Sequence, residues 1–386
     1  MFTISILSRL LTIPYVLAKL TVEYFSIGTV FTNFQTNRSI RRIWTAGIMQ
    51  HMIKVLTVPF IRDHASYTVS SLLDKLLSTV NGDGGLPRYG EFYTKRKCFL
   101  NSIDAADWGE NPHSVDSLWL AHGGPSRSKN DPILIYIHGG CFAMQLQRNA
   151  VEVLANVYRV LSRDSHPNLS VLIVDYSLTT TGSKYPQQVN ECGQIYDQLV
   201  REGNTNIAVM GDSAGGNLSL ALLYYLQRVH PKGTVWPSAV VPISAWLDIT
   251  AAQYSGSFRK NEALDVFSYR AVEYFGEAYV GTESDLDRPD LNISSLSSSY
   301  DWSKLPPVAK GNVLVVFGEH EVLRDENFRW CTNAGITKNH PENVIIEPLG
   351  YHISFFVSEG VAFGDLESWK EQSLTKQILS FLSKKL

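Results

Sequence analysis

The chain has 386 residues, of which 44% are hydrophobic, and a formal net charge of −3. This length is enough for one large hydrophobic core or for two domains. The near-neutral charge gives no sign of a nucleic-acid-binding protein. The sequence also shows no zinc-ligand spacing, no phosphate-binding loop and no internal repeat. We therefore expect no nucleic-acid partner, no metal ion and no cofactor.

Residues 1–34 form a hydrophobic segment that is interrupted by charged side chains. A membrane span from Leu10 to Phe31 would enclose Lys19 and Glu23. Each such charge costs about 2.5–3.5 kcal/mol near the bilayer centre, although side chains spaced i,i+4 can pair. Three interpretations remain open for this candidate membrane anchor: a poor signal-anchor, an interfacial helix, or an apolar part of a cap.

Residues 35–114 differ from the rest of the chain, and we assign them to an N-terminal cap region. Within them, Tyr67–Thr79 has the pattern of an amphipathic helix, and Asn81–Gly85 has the composition of a turn. Residues 115–386 alternate strand and helix patterns, which predicts an α/β fold with a mostly parallel sheet and helices on both faces. The predicted helices are Arg148–Arg163, Gln187–Arg201, Asn217–Arg228, Glu321–Asn333 and Leu366–Lys384.

A predicted strand at Ile133–Ile137 leads directly into a pair of glycines, Gly139 and Gly140, followed by Cys141. Glycines after a strand let backbone N–H groups approach a ligand closely, as an oxyanion hole requires. An isolated pair of this kind is more often a simple turn. His138, which precedes the pair, lies 75 residues before a candidate nucleophile at Ser213, and this place favours the oxyanion hole.

The sequence Gly-Asp-Ser-Ala-Gly at 211–215 lies between a predicted strand at 206–210 and the predicted helix at 217–228. A sharp turn in this context holds the serine out at the top of a sheet, with glycines where side chains would clash. Ser213 is thus the predicted nucleophile. The N–H of Ala214 is predicted to point at the oxyanion of an acyl substrate.

Two further predicted strands place an acid and a base after this serine. The strand at 312–317 runs into the acidic segment Gly318–Asp325, and the strand at 343–347 leads to His352. The order serine, acid, histidine is that of α/β-hydrolases. His352 would accept the serine proton and return it to the leaving group, and a carboxylate would stabilise the imidazolium that forms.

Three motifs together resemble the hormone-sensitive-lipase-type branch of α/β-hydrolases, over roughly residues 115–386. They are the segments His138–Cys141, Gly211–Gly216 and Gly318–Asp325. Within the branch, the chain is most similar to fungal steryl acetyl hydrolases, with arylacetamide deacetylases as the next nearest family. The resemblance implies that Glu321 is the acid of a Ser-Glu-His triad. It also implies a helical cap, completed by an insert near residues 250–305, and association with the endoplasmic-reticulum membrane.

The chain departs from this branch at two positions. Cys141 replaces the third glycine of the oxyanion motif. Its backbone N–H can still donate a hydrogen bond, but its thiol is expected to reshape the acyl pocket. Glu321 occupies the position where the branch usually has aspartate, and its side chain is longer than that of aspartate. Asp325 and Asp248 are weaker rivals for the acid, since the first matches a non-catalytic aspartate of the motif and the second follows a different strand.

These observations predict a serine hydrolase of carboxylic esters that acts through an acyl-enzyme on a small apolar ester substrate. The resemblance alone specifies an acetyl group on a bulky alcohol such as a sterol. A general carboxylesterase or lipase, and a non-catalytic ligand-binding protein of the same fold, remain as alternatives. The aromatic segment Phe267–Val280 is predicted to be a packed cap helix or a wall of the substrate pocket, and both can hold at once.

Overall fold

The computed structural model describes most of the chain from residue 127 onward and a smaller part of the N-terminal region. The described residues are 2–26, 40–54, 56–64, 67, 69, 71–73, 116–121, 123, 127–250, 255–282, 286, 288–294, 300–359 and 366–386. The predicted helix at Tyr67–Thr79 lies largely outside these residues, and the predicted turn at Asn81–Gly85 lies wholly outside them.

The described strands form one sheet of seven. In chain order they are β1 (Asp116–Ala121), β2 (Ile133–Ile137), β3 (Ser170–Asp175), β4 (Ile207–Asp212), β5 (Ala239–Ile243), β6 (Val315–Gly318) and β7 (Val344–Glu347). Their order across the sheet is β1-β3-β2-β4-β5-β6-β7. Only β1 runs antiparallel to its neighbour, and the other pairings are parallel. The predicted α/β fold with a mostly parallel sheet is confirmed.

Helices connect and flank these strands. They are α1 (Phe2–Ser26), α2 (Ile40–Ile53), α3 (Val58–His64), α4 (Arg148–Asp164), α5 (Gln187–Arg201), α6 (Ala214–Val229), α7 (Gly256–Asn261), α8 (Tyr269–Tyr279), α9 (Pro306–Ala309), α10 (Arg324–Asn333), α11 (Ile336–Asn339), α12 (Leu366–Lys370) and α13 (Ser373–Lys385). The remaining short turns are 3₁₀ segments at 179–181, 302–304 and 341–343 and a π-helical turn at 355–359.

The central strands β2, β4, β5 and β6 are buried on both faces, as strands of parallel sheets are. In β2 every residue is buried, and successive side chains enter opposite clusters. Ile133, Ile135 and Ile137 pack with side chains of α5 and α6 on one face. Leu134 and Tyr136 pack with side chains of α4 and α13 on the other face. The carboxyl ends of the central strands are therefore held rigidly between two helix layers, which gives loops at that edge fixed positions.

The N-terminal helices α1 and α2 pack against each other. Leu20 of α1 is buried in a cluster with Ile43 and Ala46 of α2. A Cβ added at Gly47 would lie 2.2 Å from Cδ1 of Leu20, so a larger residue here would require the Leu20 side chain to move. Among the described residues, no helix combines the length and hydropathy that a membrane span requires.

Besides α6, which begins at Ala214 and not at the predicted Asn217, two predicted helices have other limits in the structure. The helix predicted at Glu321–Asn333 begins instead at Arg324, because the carboxylate of Glu321 accepts a hydrogen bond from the N–H of Gly318 and folds the intervening residues into a turn. The helix predicted at Leu366–Lys384 is divided into α12 and α13, because the backbone of Gln372 is extended. The first of these differences moves Glu321 off the helix and into the loop that faces His352.

Candidate active site

Ser213 occupies a strained turn between β4 and α6. Its backbone has φ 52° and ψ −117°, a left-handed conformation that non-glycine residues rarely adopt. The N–H of Ser213 donates to the carbonyl oxygen of Ile243, which anchors the turn to β5. A Cβ at Gly215 would lie 2.0 Å from the carbonyl oxygen of Ile137. Glycine is therefore required beside the serine for α6 to start this close to β2.

The loop after β7 brings His352 to this serine. Nε2 of His352 lies 2.9 Å from Oγ of Ser213, within hydrogen-bonding distance, and both side chains are buried. The ring of Phe267 stacks on the imidazole, with centroids 4.9 Å apart and an interplanar angle of 17°. The stacked ring restricts rotation of the imidazole, so Nε2 stays directed at the serine.

Glu321 lies on the other side of the imidazole and is completely buried. Its Oε2 is 3.6 Å from Nδ1 of His352, longer than a hydrogen bond but close enough for a strong charge interaction. Its Oε1 accepts hydrogen bonds of 2.6 Å from the N–H of Gly318 and from the hydroxyl of Ser244. One carboxylate oxygen is thus fixed by two donors while the other faces the histidine.

The net effect of these surroundings is to raise the pKa of His352 above its ordinary value. Burial by itself lowers this pKa, because it disfavours the charged ring. Glu321 acts in the opposite direction, and Asp265 and Asp212 add to its effect. Three carboxylates therefore favour the imidazolium, which is the form that a general base takes after it has accepted a proton.

The rival carboxylates are held elsewhere. Asp325 accepts from the N–H of Ser257 and contacts the Arg324 guanidinium. Asp248 is paired with Arg329 at 3.1 Å. Of the acids considered from the sequence, Glu321 is the one whose carboxylate faces the imidazole of His352.

The loop after β2 carries the predicted oxyanion donors, and one of them is corrected. The N–H of Gly139 donates to Oδ1 of Asp212 at 2.9 Å, so it is not free to bind substrate. The three N–H groups of Gly140, Cys141 and Ala214 donate to no acceptor among the described residues. Gly139 instead ties the loop to the residue before the nucleophile.

Three consecutive residues of this loop have positive φ angles, in the left-handed region. Gly140 has φ 110°, Cys141 has φ 56° and Phe142 has φ 57°. His138, buried and stacked on Tyr176, places Nδ1 2.7 Å from the carbonyl oxygen of Gly139. Burial lowers the pKa of His138 to about 4, so the ring is neutral and donates from Nδ1. This hydrogen bond fixes the orientation of the peptide group that joins Gly139 to Gly140. The direction of the Gly140 N–H is therefore fixed as well.

A cavity of about 270 Å³ opens at these residues. Ser213, His352 and the glycine loop contribute its polar groups. Helix α2 contributes apolar side chains, namely Ile48, Met49, Met52 and Ile53, and Leu56 follows just beyond the helix. The arrangement, a few polar groups in an apolar enclosure, is typical of a small-molecule site.

The aromatic segment predicted as either packing or pocket wall does both, in different parts. Phe267 lines the cavity. Phe275 and Tyr279 are buried in the core, where the ring of Tyr279 stacks on Phe142 at 3.5 Å. Tyr274 is 37% exposed and accepts from the N–H of Val58. Most of the segment is therefore a packed helix, and its first aromatic residue reaches the site.

Two buried side chains at the site were not assigned a role from the sequence. Ser244, at the end of β5, donates to Glu321 and accepts from the N–H of Ile353. Asp265, in the insert after β5, accepts from the N–H groups of His352 and Val322. Ser244 directly follows the apolar run at 239–243, which was a usable signal, whereas nothing in the residues around Asp265 distinguished it from a surface acid.

Several known proteins are similar to this chain. A family model described as steryl acetyl hydrolase matches residues 4–381. The mug81 protein of Schizosaccharomyces pombe, whose name assigns it provisionally to the steryl acetyl hydrolases, is 36% identical and covers 99% of this chain and 98% of its own. Steryl acetyl hydrolase 1 of Saccharomyces cerevisiae is 27% identical over 65% of this chain and 60% of its own.

Solved structures show the same fold. An esterase from the bacterial hormone-sensitive lipase family superposes with a TM-score of 0.53 and 22% identity, over 83% of this chain and 99% of that one. The esterase of the archaeon Pyrobaculum calidifontis gives a TM-score of 0.52 and 18% identity, over 82% of this chain and 97% of its own. At these identities the likeness concerns the fold alone, and it places the chain in the α/β-hydrolase fold.

Proposed function

Because the chain belongs to the steryl acetyl hydrolase family, and is therefore a carboxylic-ester hydrolase, we propose that it removes acetyl groups from sterol acetates with Ser213, His352 and Glu321. The observation that carries the mechanism is the 2.9 Å contact between Oγ of Ser213 and Nε2 of His352 beside an apolar cavity. The sterol as the alcohol is supported by the family and by the apolar wall that α2 contributes.

In this mechanism Ser213 attacks the carbonyl carbon of the ester while Nε2 of His352 takes the hydroxyl proton. Negative charge develops on the carbonyl oxygen, and the free N–H groups of Gly140, Cys141 and Ala214 are the donors available to it. Removing one such donor typically costs about 2.7–4 kcal/mol of barrier.

Collapse of the tetrahedral intermediate releases the alcohol, which takes its proton from the imidazolium of His352 and leaves an acetyl group on Ser213. Water then attacks this acyl-enzyme with the same histidine as base, and acetate departs. Glu321 stabilises the imidazolium in both halves, since its Oε2 faces Nδ1. Phe267 stacks on the ring and keeps it aligned.

The test is a matched pair of assays on purified wild type and Ser213→Ala. Acetate release would be followed from a sterol acetate and from a small aryl acetate. Serine-dependent release from both supports the proposal in full. Release from the aryl ester alone keeps the mechanism and moves the substrate towards a general carboxylesterase. Equal release by both proteins from either ester contradicts the serine mechanism.

Association with the endoplasmic-reticulum membrane is a separate proposal. Helix α1 exposes large apolar side chains to solvent, including Leu11, Tyr15, Val22 and Phe25. Lys19 and Glu23 pair at 3.6 Å on the same helix. An exposed apolar stripe supports an interfacial helix. Sedimentation with lipid vesicles tests it, with Leu11→Glu combined with Phe25→Glu as the variant, and equal sedimentation of both proteins would contradict it.

A further inference from the structure

Asp265 lies in the insert between β5 and β6 and is completely buried. Its Oδ1 accepts hydrogen bonds of 2.7 Å from the N–H groups of Val266 and His352. Its Oδ2 accepts one of 2.7 Å from the N–H of Val322, the residue that follows Glu321. One carboxylate therefore joins the histidine loop to the acid loop.

We propose that Asp265 is a positioning residue that holds His352 and Glu321 in their relative places. The inference rests on the proposed function, because it assigns Asp265 to the catalytic geometry described there. The hydrogen bonds that the carboxylate of Asp265 accepts all come from backbone N–H groups, so it acts through the two loops and touches no reacting atom.

The chemistry of the site requires a carboxylate. Three N–H donors converge on two oxygens, and asparagine has only one oxygen, so its amide N–H₂ would face one of the donors. Burial raises the pKa of Asp265, whereas His352 and the backbone N–H donors lower it and favour the ionised carboxylate. A buried carboxylate is normally avoided unless it is fully paired, and here the three donors supply that pairing.

The insert that carries Asp265 is fastened to the acid loop by other contacts as well. The amide of Asn261 donates to the carbonyl oxygen of Glu321 at 2.8 Å, and the hydroxyl of Ser257 donates to that of Val322 at 2.7 Å. These bonds fix the insert on Glu321's side of the site. Asp265 extends the connection across to the N–H of His352.

The same insert reaches the cavity wall. Two residues after Asp265, Phe267 stacks on the imidazole of His352. From α2, the amide of Gln50 donates to the carbonyl oxygen of Asp265 at 2.8 Å. Helix α2 is therefore hydrogen-bonded to the same short segment, 265–267, that joins the two loops through Asp265 and places the Phe267 ring against His352.

The experiment is steady-state hydrolysis of a small aryl acetate by Asp265→Asn in the full chain. We expect kcat to fall at least about 10-fold with KM within about twofold, because the loss affects alignment and leaves the cavity intact. We also expect the acid limb of kcat/KM to move to lower pH. The carboxylates that raise the pKa of His352 are Glu321, Asp265 and Asp212, and the variant removes one of them.

The matched control is Asp290→Asn. Asp290 is equally buried but lies outside the site, where it accepts from the hydroxyl of Tyr185 and pairs with Arg288. Active sites would be counted by fluorophosphonate labelling, and thermal unfolding measured for both. An Asp265→Asn enzyme with the kcat per active site and the acid limb of Asp290→Asn overturns the proposal, since the residue would then serve stability alone.

Two further proteins keep the result decisive. Asp265→Ser retains one acceptor oxygen without the charge, and it replaces Asp265→Asn if the latter does not fold, with the same loss of kcat expected and a wild-type kcat overturning the proposal. Ser213→Ala shows whether the proposed function itself fails. If the serine mechanism is wrong, this variant hydrolyses the ester as fast as wild type. The inference about Asp265 then falls with its premise.

Discussion

The hydroxyl of Ser244 donates a 2.6 Å hydrogen bond to Oε1 of Glu321 and accepts one of 3.0 Å from the N–H of Ile353. Ser244 stands at the end of β5 with a left-handed φ of 48°. A single side chain thus connects the acid to the residue after His352. The connection comes from the strand next to the nucleophile strand, so the rigid sheet sets the distance between acid and base.

Ser244→Ala should therefore lower kcat for a small aryl acetate about 10-fold, with little change in KM. A hydrogen bond to a charged group is worth about 1.5–3 kcal/mol, and each 1.4 kcal/mol corresponds to about a factor of 10. Ser170→Ala in β3 removes another buried hydroxyl, one that accepts from Gly123, and serves as the control. Equal rates for the two variants would show that the Ser244 contact does not orient Glu321.

Ser213→Ala and His352→Ala should each reduce kcat/KM by about 10⁴-fold or more and leave the protein folded. The first removes the attacking oxygen and the second removes the base, and residues that act as a unit lose nearly everything when one is missing. The measurement is acetate release combined with circular dichroism. Near-normal turnover in either purified variant would disprove the assignment of the pair.

Glu321→Gln should lower kcat by about 10²- to 10⁴-fold, because an amide cannot stabilise the imidazolium as a carboxylate does. Asp325→Asn should have far less effect, since its carboxylate binds Ser257 and Arg324, away from the histidine. The two variants are compared in one assay after active-site counting. The reverse ranking would move the acid to Asp325.

The strands of this fold were predictable because they are apolar runs that the chain buries on both sides. The predicted strand Ile133–Ile137 coincides with β2 to the residue. A strand that is buried on both faces is a continuous apolar run, so its ends can be located from the sequence alone. The turn at Ser213 could also be predicted from the sequence, because close backbone contacts require glycines around it and these glycines form a recognisable motif.

What the sequence could not supply depends on contacts between distant segments. Gly139 had the pattern of an oxyanion donor, and only the folded chain shows its N–H occupied by Asp212, which lies 73 residues away. Asp265 is 87 residues from His352 and has no motif around it. Burial of a charged side chain is decided by the packing of the insert, which local composition does not encode.

Met52→Glu should raise KM for a sterol acetate at least about 10-fold and change that for a small aryl acetate much less, because a buried charge opposes a large apolar ligand. Met52 lines the cavity from α2. Thr45→Glu places the same charge on an exposed position of the helix and is the control. If Met52→Glu changes KM by the same factor for both esters, α2 does not contact the alcohol part of the substrate.

The pH dependence of kcat/KM should show an acid limb set by His352, with activity lost as pH falls. Protonation of the imidazole removes the acceptor for the proton of Ser213. The pKa of this histidine is lowered by burial but raised further by Glu321, Asp265 and Asp212, so the limb should lie above the ordinary value of 6.5. Profiles from about pH 5 to pH 9 measure it.

The sign of this shift can be checked with the residual activity of Glu321→Gln. Removing the carboxylate takes away the strongest of the three contributions that favour the imidazolium, so the pKa of His352 falls and the acid limb moves to lower pH. Asp325→Asn leaves all three carboxylates in place and should keep the wild-type limb. A limb that stays fixed in Glu321→Gln would mean that this carboxylate does not control the charge of His352.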